Sequence, residues 1–286
     1  MTDLSGKVVV VTGGNSGIGK QAALELAGMG ATVVIAARNP QKAAAAVDEI
    51  RHVTNAGDRV DTLPIDLTSF ASVRAFVDAF SARHDALDVL LNNAGLLLRE
   101  RIVTEDGHET QFQTNHLAHF MLTQVLRPQL EKATNARVVN VASGAHNGAR
   151  KGLDFDDLEW ERRKYRGFSV YSATKLMNIL FTRELAQRWD GSGITANALH
   201  PGFVASNFAK EGDYGKLGNI LMPLSRPFSI SVERGAQTSV YLCSSPDVDG
   251  ISGQYFYKNR VGGPSAAALD DNAAARLWEI SEKLTV

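Results

Sequence analysis

The stretch "VVVVTGGNSGIGK" at residues 8–20 decides the fold, because it puts a glycine-rich turn between a strand and a helix. The glycines are spaced G-x3-G-x-G, which allows a tight turn and a close approach of the backbone to a pyrophosphate. The helix that follows offers amide donors and a positive dipole to the phosphates. Within the first βαβ unit, this context predicts a dinucleotide-binding cradle. Its predicted cofactor contacts are Gly13, Asn15, Ser16, Gly17, Ile18 and Gly19.

Outward from this turn, short β-branched runs alternate with longer segments that have helical spacing. Such alternation is typical of βαβ units around a parallel sheet that is buried on both faces. We predict an α/β fold: one doubly wound (Rossmann) domain over residues 1–286, with about seven parallel strands and helices on both faces. The predicted strands are 7–13, 31–38, 58–66, 87–95, 136–143, 194–202 and 253–257. The predicted helices are 17–29, 40–53, 69–84, 108–132, 169–190, 230–244 and 265–284.

Two segments interrupt this rhythm: 144–168, which is charged, and 203–229, which contains two prolines. Both follow predicted strands, so they leave the carboxyl edge of the sheet, where such folds bind ligands. We interpret 144–168 as an insertion and 203–229 as a substrate lid, whose apolar side chains favour a bulky apolar substrate. The charged run "EWERRKYR" at 159–166 predicts a solvated face; the alternatives are the edge of the entrance or a subunit contact.

Composition excludes several classes of protein. Of 286 residues, 30 are basic and 31 acidic, which leaves no charge footprint for nucleic acid or an anionic membrane. No apolar run approaches the roughly 18 residues of a membrane span, and "MTDLSGK" leads directly into the first strand, so we expect neither a span nor a signal peptide. The only cysteine, Cys243, fits a reducing compartment, and we expect a cytoplasmic protein with Cys243 as a buried small hydrophobe.

The end of the second strand bears on the choice of cofactor. It reads "IAARNP", with Arg38 and Asn39 where a carboxylate would bind the ribose 2′-hydroxyl of NAD. The planar guanidinium of Arg38 suits a 2′-phosphate, and Lys20 would add a second positive charge. The sequence therefore predicts NADP(H); the alternative for Arg38 is a solvated strand end.

The motif "YSATK" at 171–175 places a phenol and an ammonium four residues apart, on one face of a helix. An ammonium beside a tyrosine lowers the pKa of the phenol, which can then exchange protons with an alcohol or carbonyl near neutral pH. An accidental pair on a surface helix is the alternative when Tyr171 and Lys175 are considered alone.

Taken together, the motifs resemble the short-chain dehydrogenase/reductase family over essentially the whole chain. The matching pieces are "TGGNSGIG" at 12–19, Asp66-Leu67, "NNAG" at 92–95, Asn115, Ser143, "YSATK" and "HPG" at 200–202. Longer stretches are similar to the retinol dehydrogenase and retinal reductase branch, to which the oxidoreductase domain of the WW-domain-containing oxidoreductase is also similar. They are "TEDGHETQFQTNHLAHFMLT" at 104–123, "YSATKLMNILFTREL" at 171–185 and "GAQTSVYLCSSPDVDGISGQYF" at 235–256. Where this branch commonly has a threonine after "HPG", Ser206 keeps the hydroxyl.

The resemblance implies a catalytic tetrad and hydride transfer by a nicotinamide cofactor. Tyr171 would protonate the carbonyl oxygen, and Lys175 would lower the tyrosine pKa and hold the nicotinamide ribose. Ser143 would donate a hydrogen bond to the substrate oxygen, and Asn115 would position a water that links Lys175 to solvent. Besides Tyr171 and Lys175, the further cofactor contacts that it implies are Asp66, Leu67, Asn93, Ala94, Gly95, Pro201 and Gly202.

We therefore expect an NADP(H)-dependent oxidoreductase that interconverts a small-molecule carbonyl compound and its alcohol. A nucleotide-sensing regulatory protein without turnover and a lyase or epimerase with retained nicotinamide are the alternatives. The family also implies pairing through the helices at 108–132 and 169–190, as a homodimer or homotetramer. His116 and His119 are predicted to be structural rather than metal ligands. His200 is predicted to pack, with a place beside the cofactor as the alternative, and His146 either to touch substrate or to cap a loop.

Overall fold

Seven parallel strands form one sheet in the order β3-β2-β1-β4-β5-β6-β7, which confirms the predicted doubly wound α/β fold. Their bounds are β1 (Val8–Thr12), β2 (Thr32–Ala37), β3 (Val60–Pro64), β4 (Val89–Asn92), β5 (Arg137–Val141), β6 (Thr195–His200) and β7 (Tyr255–Tyr257). An eighth strand, β8 (Arg260–Val261), pairs antiparallel with β7. Lys258 and Asn259 between them both have positive φ, as in the two-residue turns of hairpins.

This computed structural model describes residues 2–204 and 230–286. The predicted lid at 203–229 therefore falls mostly outside the described residues, as does Ser206. In the described part of the chain, no helix combines the length and the apolarity that a membrane crossing would need.

Helices cover both faces of the sheet. The bounds are α1 (Gly17–Gly28), α2 (Pro40–Thr54), α3 (Phe70–Ser81), α4 (Thr110–Phe112), α5 (Ala118–Val125), α6 (Arg127–Glu131), α7 (Gly167–Arg188), α8 (Val232–Ser244) and α9 (Asp271–Leu284). One apolar core lies between the sheet and α1, α2 and α8, and a second lies between the sheet and α3, α5, α7 and α9. The carboxyl ends of the parallel strands thus share one edge, and the predicted site residues gather there.

The single helix predicted at 108–132 is wrong. The structure divides it into α4, a π-helical turn at Gln113–Leu117, α5 and α6. The break before α6 follows from Pro128, because proline has no N–H to donate and its ring clashes with the preceding turn. The π turn carries Asn115, and π turns often occur at functional sites.

The last helix begins six residues later than predicted. A short 3₁₀ turn covers Ala266–Leu269, and α9 begins only after Asp270, whose carboxylate accepts the N–H of Ala273 at 3.0 Å. This capping bond satisfies an amide that lacks a partner at the helix start, so it fixes where the helix begins.

The insertion 144–168 is folded. The buried carboxylate of Asp157 accepts the N–H of Glu161 at 2.7 Å and the Nε–H of Arg163 at 2.9 Å. The guanidinium of Arg163 also lies 3.9 Å from the ring centre of Trp160. The predicted solvated face at 159–166 is correct for its exposed members but wrong for Tyr165, whose hydroxyl donates to a buried carboxylate on the neighbouring loop.

The C-terminal helix α9 packs on α5 and α7. Trp278 lies 4.9 Å from the ring of Phe120 and 5.9 Å from that of Phe181, and Ser281 Oγ lies 2.8 Å from His116 Nε2. Parts of the two helices that we expected to pair between subunits therefore already have a partner within the chain.

Candidate active site

The turn after β1 leaves no room for side chains. Gly13 has a φ of 65° and donates its N–H to Ala36 O at 2.8 Å, which ties the turn to β2. A Cβ on Gly19 would lie 2.4 Å from Asn93 Nδ2 and 2.6 Å from Gly13 O. Gly17 also has positive φ, at 52°. The three predicted glycines are therefore required by the backbone conformation or by close packing.

Asn93 holds the ends of β1 and β4 together below this turn. Its amide Nδ2 donates to Thr12 O at 2.8 Å, and its N–H donates to Thr12 Oγ1 at 2.9 Å. The Ala94 N–H also donates to Thr12 Oγ1, at 3.0 Å. Asn93 thus supports the cradle from beneath, and Gly19 packs against its amide.

Thr12 and His119 connect the predicted cradle to the π turn, a contact that the sequence reasoning did not predict. His119 Nε2 lies 3.0 Å from Thr12 Oγ1, and His119 Nδ1 lies 3.4 Å from Asn115 O. Burial lowers the pKa of His119 to about 3, so the imidazole is neutral and links the cradle to the π turn. The spacing of four residues between Asn115 and His119 was the available signal, because it places both on one helix face.

The end of β2, where the adenosine is predicted to bind, is more open to solvent. Arg38 and Asn39 are exposed at the end of β2, and Asn39 Oδ1 caps α2 by accepting the Lys42 N–H at 2.8 Å. The carboxylate of Asp66 accepts both the N–H and the hydroxyl of Thr68, at 3.0 and 2.7 Å, and Leu67 beside it is buried.

Lys20 does not add a free charge at this end. Its Nζ lies 2.8 Å from both carboxylate oxygens of Glu49 on α2. The second positive charge that we expected next to Arg38 is therefore already paired.

Asn115 joins the loop after β4 to α7. Its Oδ1 accepts the Leu96 N–H at 2.8 Å, and its Nδ2 donates to Leu96 O and to Thr174 Oγ1, each at 3.0 Å. The side chain is fully buried. A Cβ on Gly95 would lie 3.3 Å from Asn115 Oδ1 and 3.4 Å from Lys175 Nζ, so Gly95 lets both residues approach the loop closely.

Lys175 is a buried cation. Its side chain enters the site from α7, is only 3% exposed, and donates from Nζ to Val141 O at 2.9 Å. Burial lowers the pKa of its ammonium to about 8. Nζ lies 5.5 Å from the ring centre of the half-buried Tyr171, one turn earlier on the same helix. The predicted phenol–ammonium pair is therefore a spatial pair at the carboxyl end of β5.

Ser143 follows β5 directly, two residues beyond the carbonyl that Lys175 contacts. Its Oγ accepts the Ala145 N–H at 3.1 Å, so its own proton can be donated elsewhere. His146 is buried and lies between Ser143 O and the N–H of Ser265, which favours loop capping over substrate contact. The "HPG" segment adjoins this turn, since His200 Nδ1 accepts the N–H of Gly144 at 3.0 Å.

The remaining candidates are structural. Burial lowers the pKa of His116 to about 3, and its ring stacks on Phe112. Cys243 is buried, as predicted, and burial raises the pKa of its thiol to about 12, which disfavours the nucleophilic thiolate. Among residues 2–204 and 230–286, no group of three or more His, Cys, Asp or Glu side chains could hold a metal ion.

The site fits a nicotinamide dinucleotide on three observations. The glycines let the turn pack closely at the start of α1, where the first backbone amides of the helix can meet a pyrophosphate. The Ser16 side chain forms no capping bond there, so it does not satisfy the first amides of that helix. The Lys175 ammonium has three donors, and Val141 O is the acceptor that the described structure gives it, which leaves donors for ribose hydroxyls.

Several known proteins are similar to this chain in sequence. The chain is 42% identical to human retinol dehydrogenase 12 over 281 residues, which cover 98% of this chain and 87% of the relative. It is 39% identical to human retinol dehydrogenase 13 over 284 residues, covering 98% and 85%. It is also 40% identical to the zebrafish WW domain-containing oxidoreductase over 287 residues, covering 99% and 69%.

Solved structures are also similar to this chain. An uncharacterized protein from Mycobacterium paratuberculosis is 35% identical with a TM-score of 0.80, covering 100% of this chain and 95% of that one. The Pseudomonas aeruginosa RhlG/NADP active-site complex is 25% identical with a TM-score of 0.70, covering 89% and 95%. The model of the short chain dehydrogenase family matches residues 7–153 and 160–215. This chain therefore belongs to the short-chain dehydrogenase family, whose members are oxidoreductases that use a nicotinamide cofactor.

Proposed function

We propose that the protein is an NADP(H)-dependent oxidoreductase that interconverts a carbonyl compound and its alcohol, with Tyr171 as the general acid and base. The observation that carries this proposal is the buried ammonium of Lys175, which lies 5.5 Å from the centre of the Tyr171 ring and beside Gly95 of the loop after β4. A buried cation is costly for a protein, and residues with such a shifted pKa cluster at functional sites.

The bound nicotinamide supplies or accepts the hydride at the substrate carbon. In reduction, the Tyr171 hydroxyl gives its proton to the carbonyl oxygen; in oxidation, the phenolate takes the proton of the alcohol. The positive charge of Lys175 favours the phenolate, and its remaining donors hold the nicotinamide ribose. The Ser143 hydroxyl donates to the substrate oxygen, where negative charge develops.

Asn115 supports this chemistry from behind. Both polar atoms of its side chain bond Leu96 or Thr174, so the water that we expect beside Lys175 would be held through the Asn115 backbone carbonyl. That carbonyl belongs to the π turn, where the backbone departs from regular helical bonding.

Preference for NADP(H) rests on the end of β2. Arg38 is exposed there, and no carboxylate follows β2 at the position that would bind a ribose 2′-hydroxyl. The similar RhlG structure is an NADP complex, which supports the same assignment. We propose that Arg38 and Asn39 face the 2′-phosphate, with Asp66 and Leu67 near the adenine, Asn93–Gly95 along the adenosine, and Pro201–Gly202 beside the nicotinamide.

A bulky apolar substrate is supported by exposed aromatic side chains at the same edge of the sheet. Phe168 is 58% exposed and lies 6.4 Å from the Tyr171 ring, and Phe203, directly after "HPG", is 50% exposed. The retinol dehydrogenases among the relatives are named for an apolar alcohol. A cytoplasmic location and a homodimer or homotetramer remain predictions from the sequence.

The direct test is the oxidation of NADPH and NADH with a panel of aldehydes and ketones graded by size and polarity. We expect faster turnover with NADPH and the best activity with large apolar carbonyls. Faster turnover with NADH would contradict the assignment of Arg38. Tight NADPH binding without turnover across the panel would favour the regulatory alternative.

A further inference from the structure

We infer that His146 and His200 form a two-histidine clamp that holds the peptide bond between Ser143 and Gly144 from both ends and so positions the Ser143 hydroxyl. The inference rests on the proposed function, because it gives that reaction two positioning residues. Neither histidine needs to touch the reacting atoms.

The clamp is visible in the partners of this one peptide unit. Its carbonyl, Ser143 O, lies 2.6 Å from His146 Nδ1, and its amide, Gly144 N, lies 3.0 Å from His200 Nδ1. Ser143 therefore enters the site from a backbone whose next peptide plane is bonded on both sides to an imidazole ring. A residue fixed in this way loses little freedom when it must meet a substrate oxygen.

The partners of His200 determine its proton. Its Nδ1 faces two amide donors, Gly144 N at 3.0 Å and Gly202 N at 3.2 Å, so Nδ1 must be an acceptor and the proton lies on Nε2. The same ring thus bonds the turn after β5 and the "HPG" segment after β6. A Cβ on Gly144 would lie 3.1 Å from His200 Nε2, so the glycine lets the ring lie against the backbone.

The partners of His146 require the opposite tautomer. Its Nδ1 faces a carbonyl and must donate, whereas its Nε2 lies 3.1 Å from the N–H of Ser265 and must accept. His146 therefore connects Ser143 to the C-terminal segment before α9. Burial lowers the pKa of both histidines, to about 4 for His200, which is consistent with two neutral rings.

Strand β7 holds both rings in place. Tyr255 and Tyr257 are two residues apart, so their side chains leave the same face of the strand. The Tyr257 ring stacks on His200 with centres 4.8 Å apart, and the Tyr255 ring meets His146 edge-on at 5.3 Å. The register pairs His200 directly with Tyr257. Strand β7 thus restrains the two histidines, and the two histidines restrain Ser143.

The activity test uses leucine and asparagine at each position. We expect His146→Leu and His200→Leu to lower kcat for carbonyl reduction about 10- to 100-fold, since a small misplacement can cost that much. His146→Asn and His200→Asn should recover most of it, because an asparagine amide can place a donor or an acceptor near the position of Nδ1. The matched control is His84→Leu. His84 follows α3, and its ring stacks on that of Phe80, so kcat should change less than about twofold.

A double-mutant cycle separates the clamp from general loosening of the fold. In a Ser143→Ala background, His146→Leu and His200→Leu should lower kcat no further, because their effect acts through the serine. An equal loss in both backgrounds, or wild-type kcat in the leucine variants, would overturn the inference.

The tautomers give a readout that does not depend on activity. Nitrogen-15 spectra of the imidazoles at pH 7 should show His146 neutral with its proton on Nδ1, and His200 neutral with its proton on Nε2. A charged ring or the other tautomer at either position would overturn the clamp. If Ser143→Ala kept full turnover, the proposed role of the serine would fail, and the tautomers would still decide whether the clamp exists.

Discussion

The two halves of the proposed site, the glycine cradle and the catalytic side around Lys175, are built by opposite means. On the cradle side, the turn after β1 depends on the absence of a side chain, since a Cβ on Gly19 would lie 2.4–2.6 Å from backbone and amide atoms. On the catalytic side, the fold buries ionisable side chains and lowers their pKa values. Lys175 is buried as a cation, whereas His119 is buried as a neutral ring with its pKa lowered to about 3.

This difference predicts how each half fails. The cradle should be sensitive to added volume, because close-packed backbone cannot move aside cheaply. The catalytic half should be sensitive to changes of charge or hydrogen bonding, because unmatched polar groups in a low-dielectric interior are expensive.

Lys175→Met should have the largest effect, because it should lower turnover and at the same time raise the stability of the fold. We expect kcat to fall about 10³-fold, as general acid catalysis contributes about 10²–10⁴-fold. The unfolding free energy should rise by about 1–3 kcal/mol, because a buried cation is removed while Val141 O keeps its bond from Asn178. Turnover assays and urea unfolding measure the two effects.

The exposed Lys151 provides the control for this variant, since Lys151→Met should change neither quantity appreciably. A Lys175→Met protein that keeps kcat within tenfold of wild type would contradict the role given to the ammonium.

Lowering the pH should lower the free energy of unfolding, because His116 and His119 are buried as neutral rings. The pKa of His116 and His119 drops from 6.5 to about 3 on folding, so between pH 6.5 and pH 3 the unfolded chain binds more protons than the fold. The unfolding free energy should therefore fall as the pH is lowered, with a slope that approaches about 1.4 kcal/mol per pH unit for each histidine. Between pH 6.5 and 5 the loss should be about 3 kcal/mol for the pair, since the unfolded histidines are only half protonated at pH 6.5.

Urea unfolding at pH 7.5, 6.5 and 5.0 checks this slope. His116→Leu, which removes one of the two groups, should show a clearly shallower slope than wild type. Equal slopes for the two proteins would mean that His116 is not held neutral by the fold.

Gly19→Ala tests the cradle half. Its Cβ would collide with Gly13 O and Asn93 Nδ2, so we expect the Kd for NADPH to rise at least about 100-fold, while the folded catalytic half persists. NADPH fluorescence titration measures the change. Gly28→Ala, at the other end of α1, has only Thr54 within 4 Å and should leave NADPH binding unchanged. Equal affinity in Gly19→Ala and wild type would contradict the cradle.

Arg38→Ala should have the smallest effect, because the side chain is exposed and its charge is screened by solvent. We expect the KM for NADPH to rise about tenfold and that for NADH to stay within about twofold, since only NADPH carries the 2′-phosphate. NADH is thus an internal control in the same assay. Equal effects on both cofactors would remove Arg38 from phosphate recognition.

The sequence predicted the parallel sheet and the ordered site motifs because both depend on local signals. Apolar β-branched runs mark the strands, and the glycine spacing marks the cradle. It did not predict the break before α6, where Pro128 ends a segment that otherwise continues the helical pattern. Nor did it predict β8, since a two-residue exposed strand carries no apolar alternation.

The sequence also could not show how buried polar groups meet. Thr12 and His119 are 107 residues apart, and His146 and Ser265 are 119 residues apart, so their bonds arise only from the tertiary fold. Lys20 is a similar case, because Glu49 on the next helix pairs with its charge. A pattern can propose a residue for a site, but its free donors and acceptors depend on such distant partners.

The central claim is that Tyr171 transfers the proton beside the bound nicotinamide. The most direct measurement is the turnover of Tyr171→Phe with NADPH and the best carbonyl of the panel, together with the Kd for NADPH. We predict a loss of turnover of at least about 100-fold with the Kd within about threefold of wild type. Full turnover in the phenylalanine variant would contradict the proposed mechanism.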